Sequence, residues 1–150
     1  MKITDKLEVI YAFMGGKWQP VRPTLGGHEQ LCTHQFDDKR QCLDFCRREL
    51  NNKKFRSLDD MKQPDYRPVP VATIYNKSDH RLKYDVSVDA LMPVLKKIES
   101  MGYVLMMTKD NICFKHREKP SIAGNVKRGK LTKSIFESVY EYVNWHNNNK

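Results

Sequence analysis

The pattern of apolar and polar positions is most complete from Tyr84 to Gly102, YDVSVDALMPVLKKIESMG. At 100° per residue, Val88, Leu91, Met92, Val94, Leu95, Ile98 and Met101 fall on one side of a helix. Asp89, Lys96, Lys97 and Ser100 fall on the other, and Glu99 lies at the edge of the apolar arc. Ser87 stands where its hydroxyl can accept from the backbone N–H of Asp89 or Ala90. Asp89 places a negative charge in the first turn, and Gly102 supplies the left-handed stop. Pro93 has no N–H to give. With Asp89 as the cap it removes only the first helical bond; with Ser87 as the cap a local bend is expected. The stretch predicts a one-sided helix made to lie on a sheet or another helix.

The same reading along the rest of the chain is uneven. Residues 1–16 predict a short packed helix, capped by Thr4, with Leu7, Ile10, Tyr11 and Met14 as a stripe and Gly15-Gly16 as the stop. From Lys17 to about Pro64, Pro20, Pro23 and Gly26-Gly27 argue against regular elements. The exception is DDKRQCLDFCRREL from Asp37, a helix with Cys42, Leu43, Phe45, Cys46 and Leu50 inward. Pro64, Pro68 and Pro70 indicate an extended segment, and Val71 to Asn76 an edge strand. Tyr103 to Met107 reads as a buried strand, Thr108 to Asn111 as a turn and Ile112 to Lys115 as the returning strand of a hairpin. Residues 116–131 read as a basic loop. The last helix starts near Thr132 or Ser134, where Ser134 and Glu137 have capping-box spacing. One-sided helices around a hairpin predict an α+β fold: a small antiparallel sheet with a C-terminal hairpin, packed against two or three helices.

The run SVDALMPVLKKIESMGY, with SIFESVYEYVNWHNN farther on, resembles the phage ABA-sandwich domain family, small phage- and prophage-associated bacterial proteins. The likeness rests on Ser87, Asp89, Leu91 to Val94, Lys97 to Glu99 and Glu137 to Asn147, and this chain has Val88 where many relatives carry Trp. It covers Leu82 to Asn147, and the opening DKLEVIYAFMGG more loosely. The resemblance implies a sandwich-like fold and a phage or mobile-element setting. It implies no established activity.

At 150 residues, 39% apolar and 30% charged, the chain suits one domain over 1–150, with 17–80 loop-rich and 82–147 as the motif-bearing core. Lys2, Asp5, Lys6 and Glu8 interrupt any leader-like apolar run, and Val9 to Gly16 is far short of a membrane span. A cytoplasmic protein with no membrane partner is expected. The net charge of +9 gathers in two runs. Arg47, Arg48, Lys53, Lys54 and Arg56 form the first, and Lys115, Arg117, Lys119, Lys127, Arg128, Lys130 and Lys133 the second. The second run is a candidate nucleic-acid contact, since phosphate binding needs only charge and reach. No aromatic residue interleaves the loop for base stacking, and a solvated basic face is the plainer reading.

Candidate chemistry is sparse. Cys32, His34, Cys42 and Cys46 are of the types zinc prefers, but no CxxC pair sets finger spacing. Cys42 and Cys46 at i, i+4 also suit the buried side of a helix. No metal and no cofactor is therefore expected. GxSxG, HExxH and a Gly-rich phosphate loop are absent. Asp37-Asp38 and Asp59-Asp60 read as acids facing water, and the five histidines lie singly. The sequence thus indicates a non-catalytic module meeting a macromolecule, protein or nucleic acid. Weak sequence-independent nucleic-acid binding is the alternative, and an enzyme built from distant residues ranks third. The partner and the oligomeric state are left open.

Overall fold

The computed structural model describes residues 2–23, 29–52, 63–74 and 81–150. The Gly26-Gly27 breaker, Lys53, Lys54 and Arg56 of the first basic run, Asp59-Asp60, His28, His80 and the Tyr75-Asn76 end of the expected strand lie outside them. The chain forms two compact units: Met1–Met14 with Leu82–Lys150, and Gly15–Arg81. Helices and two three-stranded antiparallel sheets make the fold α+β, as the pattern predicts.

In the first unit, helix α1 is Ile3–Phe13, with Leu7, Ile10 and Tyr11 buried as the stripe requires. It begins at Ile3 without a side-chain cap, so Thr4 lies inside the helix and does not start it. The central helix, Val88–Ser100, is capped by Ser87, whose hydroxyl accepts from Ala90 N–H at 3.2 Å, and it runs through Pro93. Gly102 follows at φ +94°. A side chain there would be strained and would meet the His116 ring at 2.6 Å, so glycine is required on both counts.

Three strands of this unit form one sheet: Tyr103–Met107, Asn111–His116 and Ile122–Lys127, in that spatial order. The expected hairpin is present. The expected basic loop 116–131, however, contains the third strand. A bulge bends that strand, two residues opposing Cys113 between the Ile112↔Val126 and Phe114↔Ala123 pairs. Gly124, at φ +67°, brings the bulge so close to the last helix that a Cβ would sit 2.5 Å from Ser138 O. Ser138 Oγ donates to Gly124 O at 2.6 Å in this buried contact.

The last helix runs Leu131–Asn148. It starts at Lys130, and Ser134 Oγ accepts from Gly129 N–H while Glu137 pairs with Lys6 at 2.8 Å, so the expected capping box does not form. The central and last helices cover one sheet face, with α1 packed on the last helix, around Leu91, Val94, Ile98, Ile112, Phe114, Phe136, Val139 and Val143. The other face carries Val104, Lys115 and Ile122 in one row across the three strands, all exposed.

The second unit holds the other sheet. Trp18–Pro23 lies between Glu29–Leu31 and Arg67–Pro70. Prolines that read as breakers therefore sit inside strands, and Val71–Thr73 is a 3₁₀ turn where a strand is expected. The reason is parity along the ladder. Val71 N–H donates to Lys17 O, so the bonded pairs are Lys17–Val71, Gln19–Val69 and Val21–Arg67. Pro68 and Pro70 then point their missing donors away from the sheet. Pro20 is harder to place, because the strand it occupies is central. Its carbonyl accepts from Cys32 N–H at 3.1 Å, but it has no N–H to return. The neighbouring side chain supplies that bond, with Gln19 Nε2 donating to Cys32 O at 2.7 Å.

A short helix, Lys39–Phe45, follows, its Asp38 cap accepting from Arg40 N–H at 2.8 Å, and it continues as a π-helical turn over Cys46–Leu50. Cys42 and Cys46 are fully buried, as the helix reading requires. Asn51 then clamps both the N–H and the C=O of Tyr66 ahead of the third strand.

Candidate functional site

The strands are labelled β1 (Trp18–Pro23), β2 (Glu29–Leu31), β3 (Arg67–Pro70), β4 (Tyr103–Met107), β5 (Asn111–His116) and β6 (Ile122–Lys127). The helices are α1, α2 (Lys39–Phe45), α3 (Val88–Ser100) and α4 (Leu131–Asn148).

The seven basic candidates do not converge. Lys115, near the end of β5, and Arg117 and Lys119, in the β5–β6 turn, lie at one end of the sheet. Lys127, Arg128, Lys130 and Lys133 lie at the other, where β6 ends and α4 begins. Six residues of β6 separate the groups by roughly 20 Å. The first group is diluted by acids, since Arg117 Nη2 pairs with Glu99 Oε1 at 2.8 Å and Glu118 shares the turn. In the second, Arg128 is engaged at the β4–β5 turn, its N–H on Asp110 O and Nη1 on Thr108 O at 3.0 Å. A nucleic-acid contact is thus left with one end of the sheet and three cations not so engaged, Lys127, Lys130 and Lys133.

The thiol and imidazole candidates also separate by environment. Cys42 and Cys46 face each other across one helical turn in the core of their unit. The hydrogen bond to Cys46, with burial added, pushes the Cys42 thiol well above its ordinary range, so Cys42 keeps its proton. Accepting that bond pulls Cys46 down. His34 is exposed and stacks on Phe36 at 4.5 Å and Phe45 at 5.2 Å, a packing role, while Cys32 is half-buried beside β1. Among the described residues no group of three or more His, Cys, Asp or Glu side chains is placed to hold a metal ion.

What the sequence pattern misses is the edge of β4. An uninterrupted YVLMM reads as a strand buried on both faces. Among the described residues β4 is an edge strand, bonded only to β5, with Val104 40%, Met106 42% and Met107 51% exposed. Gly102 O accepts from Arg117 N–H and Thr108 N–H donates to Asn111 O, which fixes the parity of the ladder. The N–H and C=O of Val104 and Met106 turn to β5, and those of Tyr103, Leu105 and Met107 turn outward.

Edge strands in folded proteins are commonly shielded by shortness, proline, charge or a bulge. β2 has three residues, β3 has Pro68 and Pro70, and β6 has its bulge. β4 has five residues and none of these devices. Beside it, Met92, Leu95, Lys96 and Glu99 of α3 form one wall of a groove of about 300 Å³ whose other wall is Tyr103, Val104 and Leu105. Met92 is 44% exposed there. A bare strand edge beside an apolar groove is the arrangement that binds another strand by main-chain pairing, with side-chain pockets setting selectivity.

Comparison with family models, curated proteins and solved structures finds no match to the chain.

Proposed function

We propose that this protein is a non-catalytic macromolecular interaction module of a phage or other mobile element, and that it meets its partner through the β4 edge and the α3–β4 groove. The observation that carries the reading is an edge left unshielded among the described residues, three outward N–H and C=O pairs on a strand with no charge. The mobile-element setting is supported by the resemblance of the Ser87–Gly102 and Glu137–Asn147 patterns to the ABA-sandwich family. The edge gains its partner's backbone as well as its side chains, which suits recognition of an extended segment over recognition of a small molecule.

Site-specific photo-crosslinking tests this. A benzophenone amino acid in place of Met106 gives a discrete protein adduct, and the same group in place of Glu141, exposed on α4, gives none. Equal crosslinking at both positions, or none at Met106, overturns the reading.

A further inference from the structure

We propose that the segment seated on the β4 edge is β4 of a second copy of this chain, paired antiparallel about a two-fold axis at Leu105. The two three-stranded sheets then become one six-stranded sheet. This rests on the reading of that edge as the contact surface, and it names the occupant.

Symmetry is the first argument. The outward-facing residues Tyr103, Leu105 and Met107 are evenly spaced about Leu105. An antiparallel copy therefore places Leu105 against Leu105 and Tyr103 against Met107, all as bonded pairs, closing about six main-chain hydrogen bonds. Nothing but a two-fold is needed, and a two-fold closes the assembly.

Side chains and charge agree with it. The axis sets Val104 of each copy opposite Met106 of the other on the open face, and both are exposed in the single chain. On the helix side Leu105, which lines the groove, meets Leu105 of the second copy. Two chains of net charge +9 repel at a distance, but no charged residue lies between Tyr103 and Met107, so this strip brings no like charges together.

Area sets the strength. β4 spans roughly 17 Å, and with one stripe of α3 the contact falls near the low end of specific interfaces, about 1,200 Å² in total. Association is therefore reversible and concentration-dependent.

The test uses the full chain in sedimentation velocity and light scattering across a wide concentration range. The mass rises from 17.7 kDa toward twice that value, and exchange of the Leu105 amide slows as it does. Val104→Glu alone, or Met106→Lys alone, abolishes the doubling while the melting temperature is kept, because both sites are solvent-exposed in the monomer and a carboxylate at 104 faces Lys115 within its own sheet. The double variant Val104→Glu/Met106→Lys restores it, since each new charge then faces its opposite across the axis. That rescue is specific to this register.

A mass of 17.7 kDa at every concentration, or doubling untouched by the single charges, overturns the proposal. A monomer that still gives a discrete adduct of different mass at Met106 overturns self-pairing alone. A monomer with no adduct overturns the reading of the edge as well.

Discussion

Strands β3 and β4 are both short, both at the edge of a three-stranded sheet, and their free sides are opposite in chemistry. In β3 the outward positions are Pro68 and Pro70, so that edge offers no donors, and Pro70 O already accepts from Thr73 Oγ1 at 2.9 Å. In β4 the outward positions are Tyr103, Leu105 and Met107, and each offers both. One edge is closed to a further strand and the other is open to one. The closing device depends on parity: a proline at Val69 or Arg67 would break a ladder bond, whereas at Pro68 or Pro70 it breaks none. The apolar content of the two strands is a poorer guide than which of their residues face outward.

The comparison breaks most completely if the support under β4 is removed. Ile98 is fully buried where α3 packs in the core cluster behind the sheet. Ile98→Asp buries an unpaired carboxylate and is expected to cost at least about 4 kcal/mol, enough to abolish the cooperative transition. Denaturant titration followed by far-UV circular dichroism measures it. A wild-type midpoint for Ile98→Asp removes the assignment of α3 as the bed on which the open edge rests.

On the closed side, the next effect concerns how β1 tolerates Pro20. Gln19→Ala leaves the Cys32 carbonyl without the Gln19 amide and is expected to destabilise the second unit by about 1–2 kcal/mol. Restoring a backbone donor with Pro20→Val in that background recovers most of the loss, because Cys32 O then receives the ladder bond it lacks. Urea unfolding followed by the emission of buried Trp18 reads both variants. No loss in Gln19→Ala, or no recovery in the pair, contradicts the substitution of side chain for backbone.

Much of the first unit was legible in sequence because its signals are local and redundant. The 3.6-residue stripe, the Ser87 cap and the Gly102 stop all specify one helix, and the structure places them so. The second unit was not, because its signals conflict locally and are reconciled only by pairing. Pro20 reads as a breaker until Gln19 is seen against Cys32, and the extended segment that Pro68 and Pro70 mark takes its place as an edge strand only through its parity against β1.

Strand β6 is hidden in the sequence for a related reason. Ile122–Lys127 contains a glycine whose use is a bulge against Ser138, a contact remote in sequence. The candidate edge was concealed by its own composition. A five-residue apolar run fits a central strand and an unshielded edge equally, and only sheet order separates them. The basic residues were visible one by one, but their division between two ends of the sheet is a property of β6.

The smallest effect on stability, and the sharpest form of the comparison, comes from exchanging the chemistry of the two edges. Met107→Pro puts a β3-type device on β4. Met107 is half-exposed, ends its strand, and directs its N–H away from β5, so no ladder bond is lost. Pro68→Thr does the reverse on β3, restoring an outward donor where the ladder does not need one. Each change is expected to move stability by about 1 kcal/mol or less, the proline tending to stabilise through the unfolded chain wherever its φ is accommodated. Their effects on association differ. Met107→Pro removes two of the donors in a β4–β4 pair, one in each copy, and is expected to weaken the concentration-dependent rise in mass. Pro68→Thr leaves the β4 edge untouched and holds that rise at the wild-type level or raises it. Sedimentation of both variants beside the wild type decides the matter. If Met107→Pro associates like the wild type while Pro68→Thr does not, the outward donors of β4 are not what the second strand reads, and the two edges differ in sequence without differing in function.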